Sequence, residues 1–439
     1  MADQTCLGLD FGTTNTVVSV AAPDGRHEIL SLAAPGGERV QAFRSALSFQ
    51  PDPQAPRGGR MDAGPFAIEA FVQDPVETRF IQSFKTFAAS AAFTETQILQ
   101  RRYSFEDLLG GFLLRLREHG PPILREPVRL IVGRPVVFAG SRPDADLALA
   151  RYEEAFRRLG YAEVRYAYEP VGAAFFFARR LEGEATVLVG DFGGGTSDFS
   201  IIRFTRRHGS LSARPLGHAG VGVAGDAFDY RIIDNIVSPE LGKGSDYLHL
   251  GKQLPIPNRY FTAFARWDQL ALLRTSRDMR EIRGLVRQAV CPERLGQLVE
   301  MLDDNHAYAM YQAVHDLKIA LSTGHSADFR LQAGSIDISR HVRRTEFEAW
   351  IAPELEALGG AIDRALEAAG LPPERIDRIF LTGGSSLTPA VRDLFFQRFS
   401  AERIESGSEL ESIAAGLSLM GHEPDLAAWT RRPAPAGGD

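Results

Sequence analysis

The amino-acid sequence predicts an α/β protein built from two similar lobes that face each other across a central cleft. The first observation is an internal repeat: residues 7–14 (LGLDFGTT) and 189–196 (VGDFGGGT) both place Asp-Phe-Gly directly after an apolar strand. The second observation is a pair of matching helix starts rich in small residues, at 169–174 (EPVGAA) and 411–416 (ESIAAG). The third is the alternation of strand and helix patterns elsewhere, which implies a sheet covered by helices.

Each copy of the repeat predicts a β-hairpin with a tight, glycine-rich turn, because a second β-rich run follows at 17–21 and at 199–204. The two copies are too far apart for solenoid repeats, whose periods are about 20–50 residues. Small residues at the two helix starts would let these helices cross closely where the lobes meet. The other predicted elements are strands at 128–132, 186–189 and 378–381, and helices at 144–159 and 389–399.

The chain of 439 residues is too long for one ordinary hydrophobic core. We predict a first lobe at 1–183 with an irregular insert at about 34–105, because Pro and Gly are frequent at 35–67. The second lobe is predicted at 184–424 with a mainly helical insert at about 226–316. A flexible tail is predicted at 425–439, because its end is rich in Pro, Ala and Gly.

Composition excludes several classes of protein. The formal net charge is −7, which argues against a nucleic-acid-binding surface. The cysteines, Cys6 and Cys291, cannot build a disulfide framework. The N-terminus lacks a basic signal-peptide region, and no apolar run approaches the roughly 18 residues that span a bilayer. We therefore expect a cytoplasmic monomer that binds neither nucleic acid nor membrane.

The repeated turns predict a site for a polyphosphate. Successive backbone N–H groups in such a turn bind anions, and glycine leaves room for the ligand. The predicted phosphate-binding residues are Gly12, Thr13, Thr14 and Asn15 in the first turn, and Gly193, Gly194, Gly195 and Thr196 in the second. Asp10 and Asp191 precede the turns, and carboxylates beside phosphates need a cation between them. Mg²⁺ is predicted there, since it is commonly held through water by one or two carboxylates and phosphate oxygens.

A competing motif lies at residues 220–225 (GVGVAG), which matches the dinucleotide-binding pattern G-x-G-x-x-G. The segment before it, 214–218 (RPLGH), is a poor strand pattern, and no βαβ unit with a ribose-binding acid is evident. We therefore do not expect dinucleotide binding. No P-loop pattern G-x-x-x-x-G-K-[ST] is present.

Five motifs, in order, resemble the ATPase part of the seventy-kilodalton heat-shock (DnaK-type) chaperone family. Residues 7–18 and 188–202 resemble its two phosphate loops, and 168–174 (YEPVGAA) is similar to its first interdomain helix. Residues 317–322 (LKIALS) resemble the helix with its adenosine-contacting lysine, and 380–389 (FLTGGSSLTP) its adenosine motif. The resemblance implies the actin-like ATPase fold and ATP or ADP with Mg²⁺ as ligands. The chain is most similar to the YegD-type branch, which lacks a substrate domain.

The resemblance also implies roles for individual residues. Asp10 and Asp191 would hold hydrated Mg²⁺ and orient water, Glu169 would polarise the attacking water, and Lys85 would neutralise the transferred phosphoryl group. Thr196 would act on the phosphates during catalysis. The residues expected to bind the nucleoside side are Gly225, Asp226, Lys318, Ile319, Ser322, Gly383, Gly384, Ser385 and Leu387.

The sequence departs from the family pattern around the base. Two arginines that sandwich adenine in the family are Ile319 and Leu387 here, and the acid expected three residues before Lys318 is His315. Asp226 stands where the family has glutamate. An apolar pair can cover a purine but does not read its exocyclic groups, so weak discrimination between adenine and guanine is predicted.

The resulting prediction is a chaperone-like protein that binds Mg-ATP and hydrolyses it slowly, without a substrate-binding domain. A change in the angle between the lobes would act on a protein partner or client. Two alternatives stay open: a small-molecule kinase of the same fold, and an ATP-dependent scaffold or filament protein that does not hydrolyse.

Overall fold

The structure is a computed structural model that describes residues 5–55, 58–74, 77–140, 142–178, 183–207, 210–266, 269–270, 273, 276–304, 306–405 and 411–430. The strands up to residue 168 are β1 (Cys6–Phe11), β2 (Asn15–Ala21), β3 (His27–Ile29), β4 (Leu32–Ala33), β5 (Arg39–Val40), β6 (Ala42–Arg44), β7 (Ala46–Pro51), β8 (Gly59–Ala63), β9 (Arg79–Gln82), β10 (Thr96–Ile98), β11 (Arg101–Tyr103), β12 (Arg129–Arg134) and β13 (Glu163–Tyr168). The helices before residue 180 are α1 (Pro65–Gln73), α2 (Phe105–His119), α3 (Ala145–Arg157) and α4 (Glu169–Ala178).

The strands after residue 183 are β14 (Glu184–Phe192), β15 (Ser197–Arg207), β16 (Ser210–Val221), β17 (Asp246–His249), β18 (Lys252–Pro255), β19 (Ser326–Ala333), β20 (Ile336–Arg343), β21 (Arg378–Thr382) and β22 (Ile404–Glu405). The helices of this part are α5 (Gly225–Ile232), α6 (Ser238–Glu240), α7 (Asn258–Phe264), α8 (Arg277–Leu285), α9 (Pro292–Asp303), α10 (Ala307–Thr323), α11 (Arg344–Trp350), α12 (Ala352–Ala369), α13 (Pro389–Phe396), α14 (Ser412–Met420) and α15 (Leu426–Trp429).

The two main sheets have the same topology. In the first, the strand order is β3-β2-β1-β12-β13, and in the second it is β16-β15-β14-β21-β22. In both, the first strand pairs antiparallel with the next strand in the chain and parallel with the strand on its other side. This common order confirms the predicted α/β fold of two duplicated lobes.

The central strands are buried because sheet faces are covered on both sides. In β1, Leu7 and Phe11 are fully buried, and in β14 every residue after Glu184 is buried. Apolar side chains on both faces are typical of the interior strands of an α/β sheet. Both strands therefore end in a fixed position, which sets the location of the turn that follows each of them.

Two helices of small residues cross between the lobes, as the sequence predicts. A Cβ atom at Gly416 of α14 would lie 1.7 Å from the carbonyl oxygen of Gly172 in α4, so the backbones touch. The Oγ atom of Ser418 lies 3.0 Å from Oγ of Ser19 in the first lobe. Helix α14 belongs to the second lobe by its place in the chain, and this contact ties it to the first lobe.

The inserts contain regular elements of their own. Within 34–105, β7, β8 and β9 form a three-stranded sheet, β10 pairs with β11, and α1 covers β7. The insert at 226–316 holds α6, α7, α8 and α9, most of α5 and the first part of α10, together with the hairpin β17–β18. Among the described residues, none of the helices has the length and apolar character needed to cross a bilayer.

Two predictions differ from the structure. The segment 214–218 belongs to β16, an edge strand that runs antiparallel to β15, so residues 220–225 do not lie in a βαβ unit. In the predicted tail, α15 packs back on the protein: Leu426 is buried, and the ring of Trp429 lies 5.2 Å from that of Phe175. These apolar contacts order residues 426–429, while 431–439 lie outside the described residues.

Candidate functional site

The first glycine-rich turn joins β1 to β2. Its backbone closes through a hydrogen bond in which the Gly12 N–H donates to the Asn15 carbonyl, at 3.0 Å. A Cβ atom at Gly12 would lie 2.4 Å from that same oxygen, so only glycine fits this turn. Ser45 holds the turn from outside, since its hydroxyl donates to the Gly12 carbonyl at 2.7 Å.

The second turn joins β14 to β15 and repeats this geometry. The Gly193 N–H donates to the Thr196 carbonyl, again at 3.0 Å. The two turns face each other across the cleft: a Cβ atom at Gly194 would lie 2.8 Å from Thr14 Oγ1 and 3.0 Å from Thr13 Cβ. The structure therefore brings together the predicted phosphate-binding residues of both lobes.

Asp10 and Asp191 lie at the ends of β1 and β14, beside the turns. Burial and the neighbouring Glu169 carboxylate raise the pKa of Asp10 to about 7, although the Lys85 ammonium lowers it. Burial, Glu169 and Asp10 raise the pKa of Asp191 well above its usual range. Both shifts have the same physical cause, because burial and the repulsion among these carboxylates outweigh the attraction of the Lys85 ammonium.

Lys85 and Glu169 form a buried ion pair, with Lys85 Nζ donating to Glu169 Oε1 at 2.7 Å. Their side chains are 7% and 6% exposed. Lys85 comes from a 3₁₀ turn (Phe84–Phe87) in the first insert, and Glu169 opens α4. Burial opposes the charged form of Lys85, but Glu169 raises its pKa, so Lys85 stays an ammonium at neutral pH.

The segment at the start of α5 is fixed against the second turn. The Asp226 N–H donates to the Gly194 carbonyl at 2.7 Å, and the Gly225 N–H donates to the Gly193 carbonyl at 3.3 Å. The hydroxyl of Ser385 donates to the same Gly193 oxygen at 3.5 Å. These contacts join the predicted nucleoside-binding residues to the predicted phosphate-binding residues.

Lys318 lies in the same region, on α10. Its Nζ is 2.5 Å from Asp229 Oδ1, and it is 3.7 Å from the position of a Cβ atom at Gly225. Burial lowers the pKa of Lys318 and the Asp229 carboxylate raises it, and the net shift is upward. Asp229 was not predicted as a site residue; its position four residues after Gly225, within the same GDAFD run, is the sequence signal that points to it.

The segment 380–389, which the sequence predicts to contact adenosine, contains a backbone position that requires glycine. Gly383 has φ of +83°, and a Cβ atom there would lie 2.1 Å from the carbonyl oxygen of Phe192. Gly384 begins the following 3₁₀ turn, which ends at Leu387. The motif is therefore held directly against the end of β14.

The residues that replace the family arginines are open to solvent. Ile319 is 56% exposed and Leu387 is 48% exposed. The Ser322 hydroxyl donates to the Lys318 carbonyl within its own helix, and His315 stacks on Tyr311. Both contacts lie within α10, and a role of Ser322 in the site stays a prediction.

Two further residues near the carboxylates were not predicted from the sequence. Asp198 of β15 pairs with Asp191 across the hairpin, and its Oδ1 accepts hydrogen bonds from the N–H groups of Val136 and Val137, both at 3.0 Å. Burial and Glu169 raise the pKa of Asp198 to about 8. The second residue is Tyr152, whose side chain is fully buried on α3.

The duplicated sheets, the facing turns and the crossing helices define the actin-like ATPase fold. A family model described as Hsp70 protein matches residues 295–422. The protein named Chaperone protein DnaK of Thermus thermophilus is 26% identical over 429 residues, covering 94% of this chain and 60% of the relative. Its namesake from Thermotoga maritima is 25% identical over 424 residues, covering 94% of this chain and 58% of the relative.

The family model and the two alignments show that the chain is similar to Hsp70 proteins. This similarity bears out the resemblance that the five motifs carry. The chain spans about three fifths of the length of the curated relatives it matches. The YegD-type branch stays a prediction.

Proposed function

We propose that the chain binds Mg-ATP between the two glycine-rich turns and hydrolyses it slowly. The observation that carries this proposal is the pair of turns with the same hydrogen bond, brought face to face, each after a strand-end aspartate. Backbone N–H groups and threonine hydroxyls are suitable donors for phosphate oxygens from both sides.

The charges in the cleft support a cation as part of the ligand. Asp10, Asp191, Glu169 and Asp198 are opposed by Lys85, and burial together with mutual repulsion raises the pKa values of the three aspartates. A bound Mg²⁺ would supply the missing positive charge between Asp10, Asp191 and the phosphates. The donor set of oxygen atoms fits this ion.

The Lys85–Glu169 pair supports slow hydrolysis. Lys85 can neutralise charge that develops on a transferred phosphoryl group, and Glu169 can polarise a water molecule. In the structure the two side chains form an ion pair, with Lys85 Nζ 2.7 Å from Glu169 Oε1. The Glu169 carboxylate is therefore engaged by Lys85, which limits how freely it can orient a water molecule.

The relatives named Chaperone protein DnaK support a wider role. We propose that a change in the angle between the lobes, driven by the nucleotide, acts on a protein partner. The crossing helices α4 and α14 are suited to transmit this change, because α14 contacts both lobes through Ser418 and Ser412.

Binding is tested by thermal unfolding with and without Mg-ATP. The wild type should gain stability from Mg-ATP, and the double variant Asp10→Asn, Asp191→Asn should lose this gain. Asp377→Asn is the matched control: Asp377 accepts from the Thr186 N–H near the opposite end of β14, at 2.7 Å, and an asparagine oxygen keeps that bond. An equal gain in the double variant would show that the site is wrongly placed.

Hydrolysis is tested by phosphate release from the variant Lys85→Met, Glu169→Gln. Both charges of the buried pair are removed together, because a single change leaves an uncompensated buried charge that costs about 3–5 kcal/mol. The variant should still bind Mg-ATP but release phosphate at least about tenfold more slowly, which corresponds to roughly 1.4 kcal/mol in the barrier. Unchanged turnover would exclude this pair from the reaction.

A further inference from the structure

Tyr152 is a buried phenol beneath the cleft. Its side chain is fully buried, and among the described residues its hydroxyl has no hydrogen-bond partner. A buried polar group without a partner costs about 1–3 kcal/mol. Such a group in a packed aromatic cluster requires an explanation beyond packing, which a phenylalanine would provide without this cost.

The ring of Tyr152 lies on the floor of the proposed site. It is 6.1 Å from the ring of Phe11, the residue after Asp10, and it packs edge-on against Phe138 at 6.0 Å. Lys85 Nζ is 5.8 Å from the centre of the same Phe11 ring. Tyr152 and Lys85 therefore share one aromatic neighbour.

The position of Tyr152 relative to Lys85 is fixed by the adjacent residue of α3. Arg151 is 7% exposed, and its Nη1 donates to the carbonyls of Phe87 and Ala88, both at 2.9 Å. Phe87 is the last residue of the 3₁₀ turn that contains Lys85, and Ala88 follows it. Helix α3 and the Lys85 segment thus form one rigid unit, joined a second time by the Asp144 N–H, which donates to the Ala89 carbonyl at 2.9 Å.

The charges of the site act on this phenol. Burial raises the pKa of Tyr152, Lys85 lowers it, and Glu169 and Asp10 raise it. The phenol therefore stays protonated at neutral pH, and its oxygen offers lone pairs to a donor.

We propose that Tyr152 is a positioning residue for phosphoryl transfer: its oxygen accepts a hydrogen bond from the Lys85 ammonium when Lys85 turns from Glu169 toward the phosphoryl group. An ammonium has three N–H donors. Glu169 occupies one of them in the structure, and a donor that leaves this carboxylate needs another buried acceptor. The inference rests on the proposed function, since it assigns a helper to the proposed role of Lys85.

The test is Tyr152→Phe with Tyr166→Phe as the matched control. Tyr166 is also buried with an unbonded hydroxyl, and its ring is 6.4 Å from that of Tyr152. The charged group that acts on its pKa is Glu153, which is not in the cleft. Both variants remove one unpaired hydroxyl from the same cluster, so both should unfold at a similar or slightly higher temperature than the wild type.

Two readouts separate positioning from packing. Single-turnover phosphate release should fall about tenfold in Tyr152→Phe, the loss of one hydrogen bond to a charged group. The extra affinity for ADP with aluminium fluoride over ADP alone, measured by calorimetry, should shrink by a similar factor. Tyr166→Phe should leave both values near the wild type.

The outcomes distinguish the two hypotheses. A wild type that binds no Mg-ATP would overturn the proposed function itself. A wild type that binds Mg-ATP while Tyr152→Phe matches Tyr166→Phe in both readouts would overturn only the role of Tyr152. A wild type that binds ADP equally well with and without aluminium fluoride would also overturn that role, since Lys85 then does not favour the transferred group.

Discussion

Glu169 is the residue on which the electrostatics of the cleft depend. It pairs with Lys85 and raises the pKa of Asp10, Asp191 and Asp198. A cation bound beside these four acids, as proposed above, would relieve the repulsion among them.

Asp198 gives a prediction at this scale, because its pKa of about 8 lies far above the value near 4 of an unfolded chain. Between these values the folded protein holds a proton that the unfolded chain has released. The contribution of Asp198 to the free energy of unfolding therefore falls as pH rises from about 4 to about 8. Asp198→Asn, which keeps an oxygen acceptor for Val136 and Val137, should melt higher than the wild type at pH 8 and similarly at pH 4.

The measurement is the melting temperature of nucleotide-free protein against pH. Asp363→Asn serves as the control, because Arg398 lowers the pKa of Asp363 and the stability from that group is lost on acidification instead. A gain in Asp198→Asn that is constant from pH 4 to pH 8 would mean that Asp198 does not titrate in this range.

At the scale of elements, sequence patterns predicted the turns and helices whose positions depend on residues close together in the chain. The hairpin turns, the two helices of small residues and α3 were all located from sequence, and Asp144 caps α3 by accepting from the Leu147 N–H at 2.9 Å. Strand β16 was missed because Pro215 and nearby glycines lower strand propensity. Pro215 is tolerated there because β16 is an edge strand and the register shifts by one residue beside it, at Ile201/Ile202.

The helix crossing gives a prediction for an element. In Gly416→Ala the new methyl group would lie 1.7 Å from the Gly172 carbonyl oxygen, so α4 and α14 must separate. Overpacking of this kind costs about 1–3 kcal/mol or more. We expect a clear fall in the free energy of unfolding, measured by urea denaturation.

Gly296→Ala is the control for helix propensity. Gly296 lies inside α9, and its added methyl group would meet no atom within 4 Å. That variant should gain about 0.5–1 kcal/mol, since alanine favours the helix over glycine. Equal free energies of unfolding for the two variants would refute the close contact between helices α4 and α14.

At the scale of the whole molecule, the sequence predicted the two lobes but not the side-chain contacts that tertiary packing creates. The repeat predicted two facing lobes, but the pairing of Lys85 with Glu169 joins residues 84 positions apart and follows only from the packed structure. The same is true of Tyr152, which shows no motif and owes its position to the aromatic cluster around Phe11. Side chains that meet through tertiary packing leave no spacing pattern in the sequence.

The contact between the lobes at Arg44 gives the last prediction. Arg44, at the end of β6, places its guanidinium 4.6 Å from the ring centre of Tyr311 on α10 and donates to the Tyr311 hydroxyl. Tyr308, one turn earlier, packs edge-on against Phe71 and Phe80 of the first insert, at 6.0 and 6.2 Å. These contacts hold the lobes together on the side of the helix that carries Lys318.

Arg44→Ala should therefore speed nucleotide release without changing the fold of either lobe. A cation–π contact contributes roughly 0.5–2 kcal/mol, which corresponds to about 2- to 30-fold in the release rate of a fluorescent ADP measured by stopped flow. Arg259→Ala is the matched control, because Arg259 also lies 4.6 Å from the ring centre of a tyrosine, Tyr260, but within the second lobe. If both variants release ADP at the wild-type rate, the Arg44 contact does not hold the cleft closed, and another contact between the lobes must limit release.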